Sequence, residues 1–231
     1  MYHNMEDQGK RKVREFNRLI TAISAAGQPN TNFTPTLRVT NDPVPAHGRR
    51  LQARQEFMPN DVVLREEPIV GVDRQPPGVT HQQFMTNEIN GKTHHIYNAV
   101  NAQRMDEEDL HRLLALHSDA PPGTANDAKL PYIFRINGFD DCRRGHNRLL
   151  VGDLASMAQH SCAPNCAHLI DADGNITFRA IKRIRLNDEV THSYISQEPG
   201  MTRTQRRAET NHEWHFDCQC RLCHRVRDIK W

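Results

Sequence analysis

The chain has 231 residues, with 30 Lys and Arg against 28 Asp and Glu, for a formal net charge of +2. This length fits one large domain, or one domain with an appended segment, and the balanced charge gives no argument for a nucleic-acid or membrane partner. Met1 to Lys10 carries no apolar signal-peptide core, and no apolar run reaches the roughly 18 residues of a membrane span. An intracellular location, nucleus and/or cytoplasm, is therefore expected, where the six cysteines point to free thiols and metal ligands rather than disulfides.

From Glu6 to Ala26 the apolar positions Val13, Phe16, Leu19, Ile20 and Ile23 recur at a helical period, which predicts an amphipathic helix closed by Gly27-Gln28-Pro29-Asn30 and followed by a polar linker. Leu37-Arg38-Val39 and Val62-Val63-Leu64 read as strands around a loop carrying His47-Gly48-Arg49-Arg50, and Ile69-Val70-Gly71-Val72 as a further strand after Pro68. Between Asp73 and Leu130 the prolines of Pro76-Pro77-Gly78 and Pro121-Pro122-Gly123 bracket a helical insert. Within it, Asp106 to Asp109 places acids in the first turn of a helix whose Leu110, Leu113, Leu114 and His117 share a face. His94, His95, His111 and His117 have no supporting cysteine or carboxylate pattern and read as structural.

In the last third, Cys166 to Ile170 and Ile176 to Ala180 flank Asp171-Ala172-Asp173-Gly174-Asn175, a strand-turn-strand signal. A calcium loop starting at Asp171 would need a glutamate at its twelfth position, where Lys182 stands. The pairs Arg143-Arg144 and Arg206-Arg207 read as solvated surface. The class predicted is mainly β with a helical insert, α+β overall.

The strongest chemical signal is Cys218-Gln219-Cys220-Arg221-Leu222-Cys223. Three soft thiolates in one tight loop suit tetrahedral zinc and leave its fourth position to be filled. His224 is a local candidate; Cys142, Cys162 and Cys166 are distant ones, and spacing does not choose among them.

Gln159-His160-Ser161-Cys162-Ala163-Pro164-Asn165 resembles the Asn-His-Ser-Cys-x-Pro-Asn motif of SET-domain protein lysine methyltransferases. Upstream, His47-Gly48-Arg49-Arg50-Leu51 resembles the family's cofactor loop, and Asn187-Asp188-Glu189-Val190-Thr191-His192-Ser193-Tyr194 is similar to its Gly-Glu-Glu-x-x-x-x-Tyr segment. The pattern is nearest to the SET-MYND (SMYD) branch and short fungal SET proteins, without a MYND finger. It implies a SET-domain β-clip fold with a pseudoknot and a C-terminal zinc-binding post-SET segment. The implied domains are an N-terminal helix and linker at 1–35, the SET domain at 36–195 with its helical insert at 73–130, and the post-SET segment at 196–231.

The resemblance further implies S-adenosylmethionine and zinc as cofactors and a protein substrate with a target lysine, histone or non-histone. It assigns zinc to Cys162, Cys218, Cys220 and Cys223, and catalysis to Tyr194. Cofactor contacts fall to His47, Gly48, Arg49, Asn137, Gln159, His160 and Phe216, and the substrate channel to Phe139 and Trp214; Asn165 would organise the threaded turn. An Asn-Gly turn beside a core Phe is the competing account of Asn137-Gly138-Phe139. Three positions depart from the family pattern: Arg50 for the second loop glycine, Gln159 for asparagine and Asn187 for glycine. A non-glycine forced left-handed at position 50 would cost roughly 1–2 kcal/mol. A catalytically silent SET-fold interaction module is the alternative these departures raise.

Overall fold

The computed structural model describes residues 34–41, 48–74, 79–143, 146–196 and 200–224. Along the chain run β1 (Leu37–Asn41), β2 (Arg49–Ala53), β3 (Val62–Glu66), β4 (Val70–Asp73), α1 (His81–Ile89), α2 (His95–Ala102), α3 (Glu107–Leu114) and α4 (Asn126–Asn137). There follow β5 (Gly138–Asp141), β6 (Arg148–Val151), a 3-10 turn (Ala155–Met157), β7 (Gln159–His160), β8 (Cys166–Ile170), β9 (Ile176–Ala180), β10 (Thr191–His192), α5 (Arg203–Trp214) and α6 (Arg221–His224). The predicted N-terminal helix and His47 lie outside the described residues. Among the described residues no helix is long and apolar enough to cross a membrane.

The chain divides into two compact units. Residues 68–153 form one of them, in which β4, β6 and β5 make an antiparallel sheet with Val151 opposite both Val70 and Gly138. Its helices are specified locally. Thr80 and Gln83 form a capping box at the start of α1, and Asp106 caps α3 ahead of three acidic residues in the first turn. Glu88 is buried, and its carboxylate accepts the Thr93 hydroxyl and the N–H groups of His95 and Ile96 at 2.9 Å, which neutralises the exposed amide end of α2.

Two details of this unit differ from the sequence reading. The buried stripe of Leu110 and Leu113 is completed by Leu116, because α3 stops at Leu114 and leaves His117 exposed. No Asn-Gly turn forms either: Asn137 ends α4 and Gly138 begins β5. A Cβ at Gly138 would lie 2.5 Å from both the Phe134 carbonyl oxygen and Leu149 Cδ1, so glycine is needed for the close approach of helix and strand.

The second unit contains residues 34–67 and 154–224. Arg49–Ala53, read from sequence as part of a loop, is a strand paired antiparallel with β1, Leu37 opposite Ala53. It was hidden because Arg-Arg-Leu-Gln-Ala buries Leu51 and Ala53 while its other residues are polar. A second sheet has the order β3-β9-β8, with Ile176 and Phe178 of the central strand fully buried, each contributing about 1.5–3 kcal/mol of transfer free energy. The turn between β8 and β9 is closed by Asp171 Oδ1, which accepts the N–H groups of Asp173 and Asn175 at 3.0 Å, while Arg65 pairs with Asp171 and Asp173 at 2.7 Å. Those bonds use the acids of the Asp-x-Asp-Gly turn.

The third pairing is parallel: Gln159 lies opposite Thr191 and His160 opposite His192. Asn165 locks this crossing, its Nδ2 donating to the Glu189 carbonyl at 2.7 Å and its Oδ1 accepting the Thr191 N–H at 2.8 Å. Glu66 secures the entry, accepting the N–H groups of Leu154 and Ala155 at 2.8 Å each. The His-Ser-Cys segment is thus held against the strand leading to Tyr194.

Candidate active site and zinc centre

Cys162 comes from the turn after β7, and Cys218, Cys220 and Cys223 from the chain after α5. Their sulfurs all lie within 4.8 Å of one another, with Cys162 Sγ 3.7 Å from Cys218 Sγ and 3.6 Å from Cys223 Sγ. Tetrahedral zinc with bonds of about 2.3 Å holds its sulfurs about 3.8 Å apart, so this donor set fits the metal. Crowding splits the thiols: Cys162 is pushed up, first by its hydrogen bond with Cys218, while Cys220 is pulled down, first by its hydrogen bond with Cys162. A dication would hold all four as thiolates. His224 and Cys142 are exposed, and Cys166 sits buried on β8 with its thiol pushed up to about 12 by burial; none of the three belongs to the cluster.

Around the cysteines Ile195, Met201, Trp214, Phe216 and Leu222 form an apolar shell. Arg206 enters it from α5 and is only 2% exposed. Its Nη1 donates to the Met201 carbonyl at 2.7 Å and its Nη2 to Cys223 Sγ at 3.9 Å. The Arg206-Arg207 pair is therefore not solvated surface: Arg206 faces the thiols, and Arg207 pairs with Asp217. Arg143 likewise binds the buried Asp141 carboxylate at 2.8 and 2.9 Å. A buried arginine leaves no periodic mark in a polar helix, and only its spacing before the cysteine run could have signalled Arg206.

Tyr194 is half-buried, two residues after β10. Its hydroxyl donates to the Ala158 carbonyl at 2.9 Å and its N–H to His160 Nδ1 at 3.1 Å. Burial raises the phenol above its ordinary range, with Glu189 adding to the effect, so it stays neutral. Its ring lies 5.6 Å from Trp214 and 6.3 Å from Phe216 between centroids, the latter edge-on. His215 makes that placement possible: its left-handed backbone (φ 57°) ends α5 between the two aromatics.

His160 packs 5.3 Å from Tyr194 and 5.8 Å from Phe216, and burial pulls its pKa down to about 4. His192, which is buried, also packs against Tyr194, 4.8 Å from it and 5.0 Å from Phe178. Its Nδ1 is 3.2 Å from that of His168, and burial, followed by the two neighbouring histidines, holds it well below the ordinary imidazole range. The sequence reading singled out neither His168 nor His192.

Gln159 Nε2 donates to the Arg49 carbonyl at 2.6 Å, tying β7 to the start of β2. The left-handed backbone expected of the loop belongs to Gly48 (φ 70°), while Arg50 sits in the extended strand with its Nε on the Thr40 hydroxyl at 3.3 Å. The anticipated strain at Arg50 therefore does not arise. Asn187 does adopt the left-handed region (φ 69°), its side chain accepting from Arg38 Nη2 at 2.8 Å. Asn137 and Phe139 are buried in the unit of residues 68–153, where Asn137 Nδ2 donates to the carbonyls of His117 and Ile133 at 2.8 Å.

The sequence profile described as the SET domain matches residues 48–195, more than half of the chain. The chain belongs to the SET-domain family. A SET and MYND domain-containing protein of Dictyostelium discoideum is 34% identical over 73 residues, which cover 32% of this chain and 18% of that protein. Protein-lysine N-methyltransferase SMYD4 of Mus musculus is 34% identical over 80 residues, 33% of this chain and 10% of that one. Histone-lysine N-methyltransferase ATXR2 of Arabidopsis thaliana is 30% identical over 109 residues, 46% of this chain and 22% of that one. The SET-domain chain thus spans between 10% and 22% of the length of these relatives.

Proposed function

We propose that this chain is an S-adenosylmethionine-dependent protein lysine N-methyltransferase acting on a histone or non-histone lysine, with Tyr194 at its reacting centre. The observation that carries the reading is Tyr194 itself. A neutral phenol whose proton is committed to the Ala158 carbonyl keeps its oxygen lone pairs as acceptors for the N–H groups of an incoming lysine.

Methyl transfer to nitrogen is an in-line displacement that asks the protein chiefly for alignment. S-adenosylmethionine supplies the electrophilic methyl group when bound. Free lysine, with a pKa of about 10.4, is protonated at neutral pH, and a dry aromatic surface disfavours the ammonium form. Trp214 and Phe216 around Tyr194 provide such a surface. Gly48, left-handed with open space where a Cβ would stand, leaves room for close backbone approach of a cofactor, and Arg49, His160, Gln159 and Phe216 are its proposed neighbours. Roles for His47, Asn137 and Phe139 rest on the family resemblance alone.

Zinc on Cys162, Cys218, Cys220 and Cys223 would join the turn after β7 to the chain carrying Phe216. One observation favours a silent SET-fold interaction module: Gln159 Nε2 is committed to the Arg49 carbonyl rather than left available to a ligand. A radiolabelled methyl-transfer assay against histones and protein extract decides between the readings. Label transferred by the wild type and lost in Tyr194→Phe supports the enzyme; equal transfer by both proteins removes Tyr194 from the centre, and no transfer favours the silent module.

A further inference from the structure

His160 touches both the cysteine cluster and the backbone of Tyr194. Its Nδ1 accepts the Tyr194 N–H at 3.1 Å, and an imidazole nitrogen that accepts carries no proton. The ring proton of the neutral imidazole is then on Nε2, which lies 3.2 Å from Cys162 Sγ. The bond to sulfur is consequently a donation from His160, and sulfur is the acceptor that zinc ligation would provide as a thiolate. The ring also packs, tilted by 56°, against Tyr194 at 5.3 Å and Phe216 at 5.8 Å between centroids.

We propose that His160 is a positioning residue: its imidazole links the zinc-bound Cys162 thiolate to the Tyr194 backbone, so that the electronic state of the zinc centre sets the strength of the hydrogen bond holding Tyr194. Electron density on the sulfur strengthens the Nε2–H donation, which makes Nδ1 a better acceptor, since successive hydrogen bonds polarise one another. A weaker acceptor at sulfur, or loss of the metal, relaxes the Tyr194 N–H. The role is distinct from an imidazole hydrogen bond to a cofactor, because both ring nitrogens are already used within the protein. The consequence for methyl transfer rests on the enzymatic reading above, whereas the link itself is tested without turnover.

The test reads the Tyr194 backbone amide resonance in zinc-loaded and cadmium-loaded protein, in the wild type, His160→Gln and His160→Leu. Glutamine retains an acceptor and a donor spaced much like the two ring nitrogens; leucine has neither. Exchange of the metal is expected to shift the Tyr194 amide in the wild type, to shift it in His160→Gln, and to leave it still in His160→Leu. A packing role alone would not make the metal-dependent shift follow hydrogen-bonding capacity. The proposal is overturned if the wild-type amide ignores the metal, or if the shift persists undiminished in His160→Leu. Should the leucine variant not fold, wild-type protein loaded with the NMR-active cadmium isotope decides the matter: a metal correlation to the His160 Nε2 proton is expected, and its absence beside visible cysteine correlations overturns the link.

Discussion

Arg206 places its Nη2 3.9 Å from Cys223 Sγ while only 2% exposed, so a buried guanidinium stands beside the four-cysteine cluster. Zinc with four thiolates carries a net charge of −2, and a cation at this distance offsets part of it. Arg206→Met is expected to lower zinc affinity about 10- to 100-fold, as loss of an outer-shell partner typically does. Arg206→Lys should fall between, keeping the charge and losing the fork. Competition with a chromophoric chelator measures both; unchanged affinity in a folded Arg206→Met protein contradicts the assignment.

The parallel crossing of β7 and β10 depends on the Asn165 amide, which satisfies the Glu189 carbonyl and the Thr191 N–H together. Asn165→Ala leaves both without that partner, and a cost of about 1–3 kcal/mol is expected. A lower urea midpoint at constant slope would show it. A midpoint within error of wild type would mean that the crossing is held elsewhere.

Asn187 occupies a left-handed turn where the family pattern has glycine. Asn187→Gly is expected to be close to neutral, whereas Asn187→Val should cost roughly 1–2 kcal/mol. Thermal unfolding of the two variants separates them, and equal midpoints would refute the backbone argument.

What the sequence could disclose follows the range of each interaction. Cysteine spacing, the Asp171–Asn175 turn and the apolar stripe of Leu110 and Leu113 are local patterns, and all were readable. The choice of Cys162 over Cys142, Cys166 and His224 came from the family motif, because a ligand 56 residues from Cys218 leaves no spacing signal. Arg206 was misread as solvated surface because it lies on a polar helix, and His192 was passed over because it lies on a strand of two residues. Arg50 misled in the opposite direction: matching it to a loop glycine implied strain, but the left-handed residue is Gly48.

Asp141 has a fully buried carboxylate bound by Arg143, whose hydrogen bond is the main reason its pKa is lowered from 3.8 to about 2. A pKa lower in the folded state means that the stabilisation is complete above about pH 4 and is lost as pH falls toward 2. The contribution is about 2 kcal/mol at neutral pH. Asp141→Asn should lower stability at pH 7 and flatten its decline between pH 4 and pH 2, as read by urea unfolding across that range. A variant with the wild-type acid slope would exclude Asp141 as its source.

The proposed activity requires the Gly48 loop, His160 and the aromatics beside Tyr194 to form a working S-adenosylmethionine site. Titration calorimetry of the folded, zinc-loaded chain with S-adenosylmethionine tests it most directly. Saturable one-to-one binding is predicted, weakened when Phe216 is replaced by alanine. No binding at millimolar cofactor, in protein shown to be folded and to carry its zinc, would contradict the account and leave the silent SET-fold module in its place.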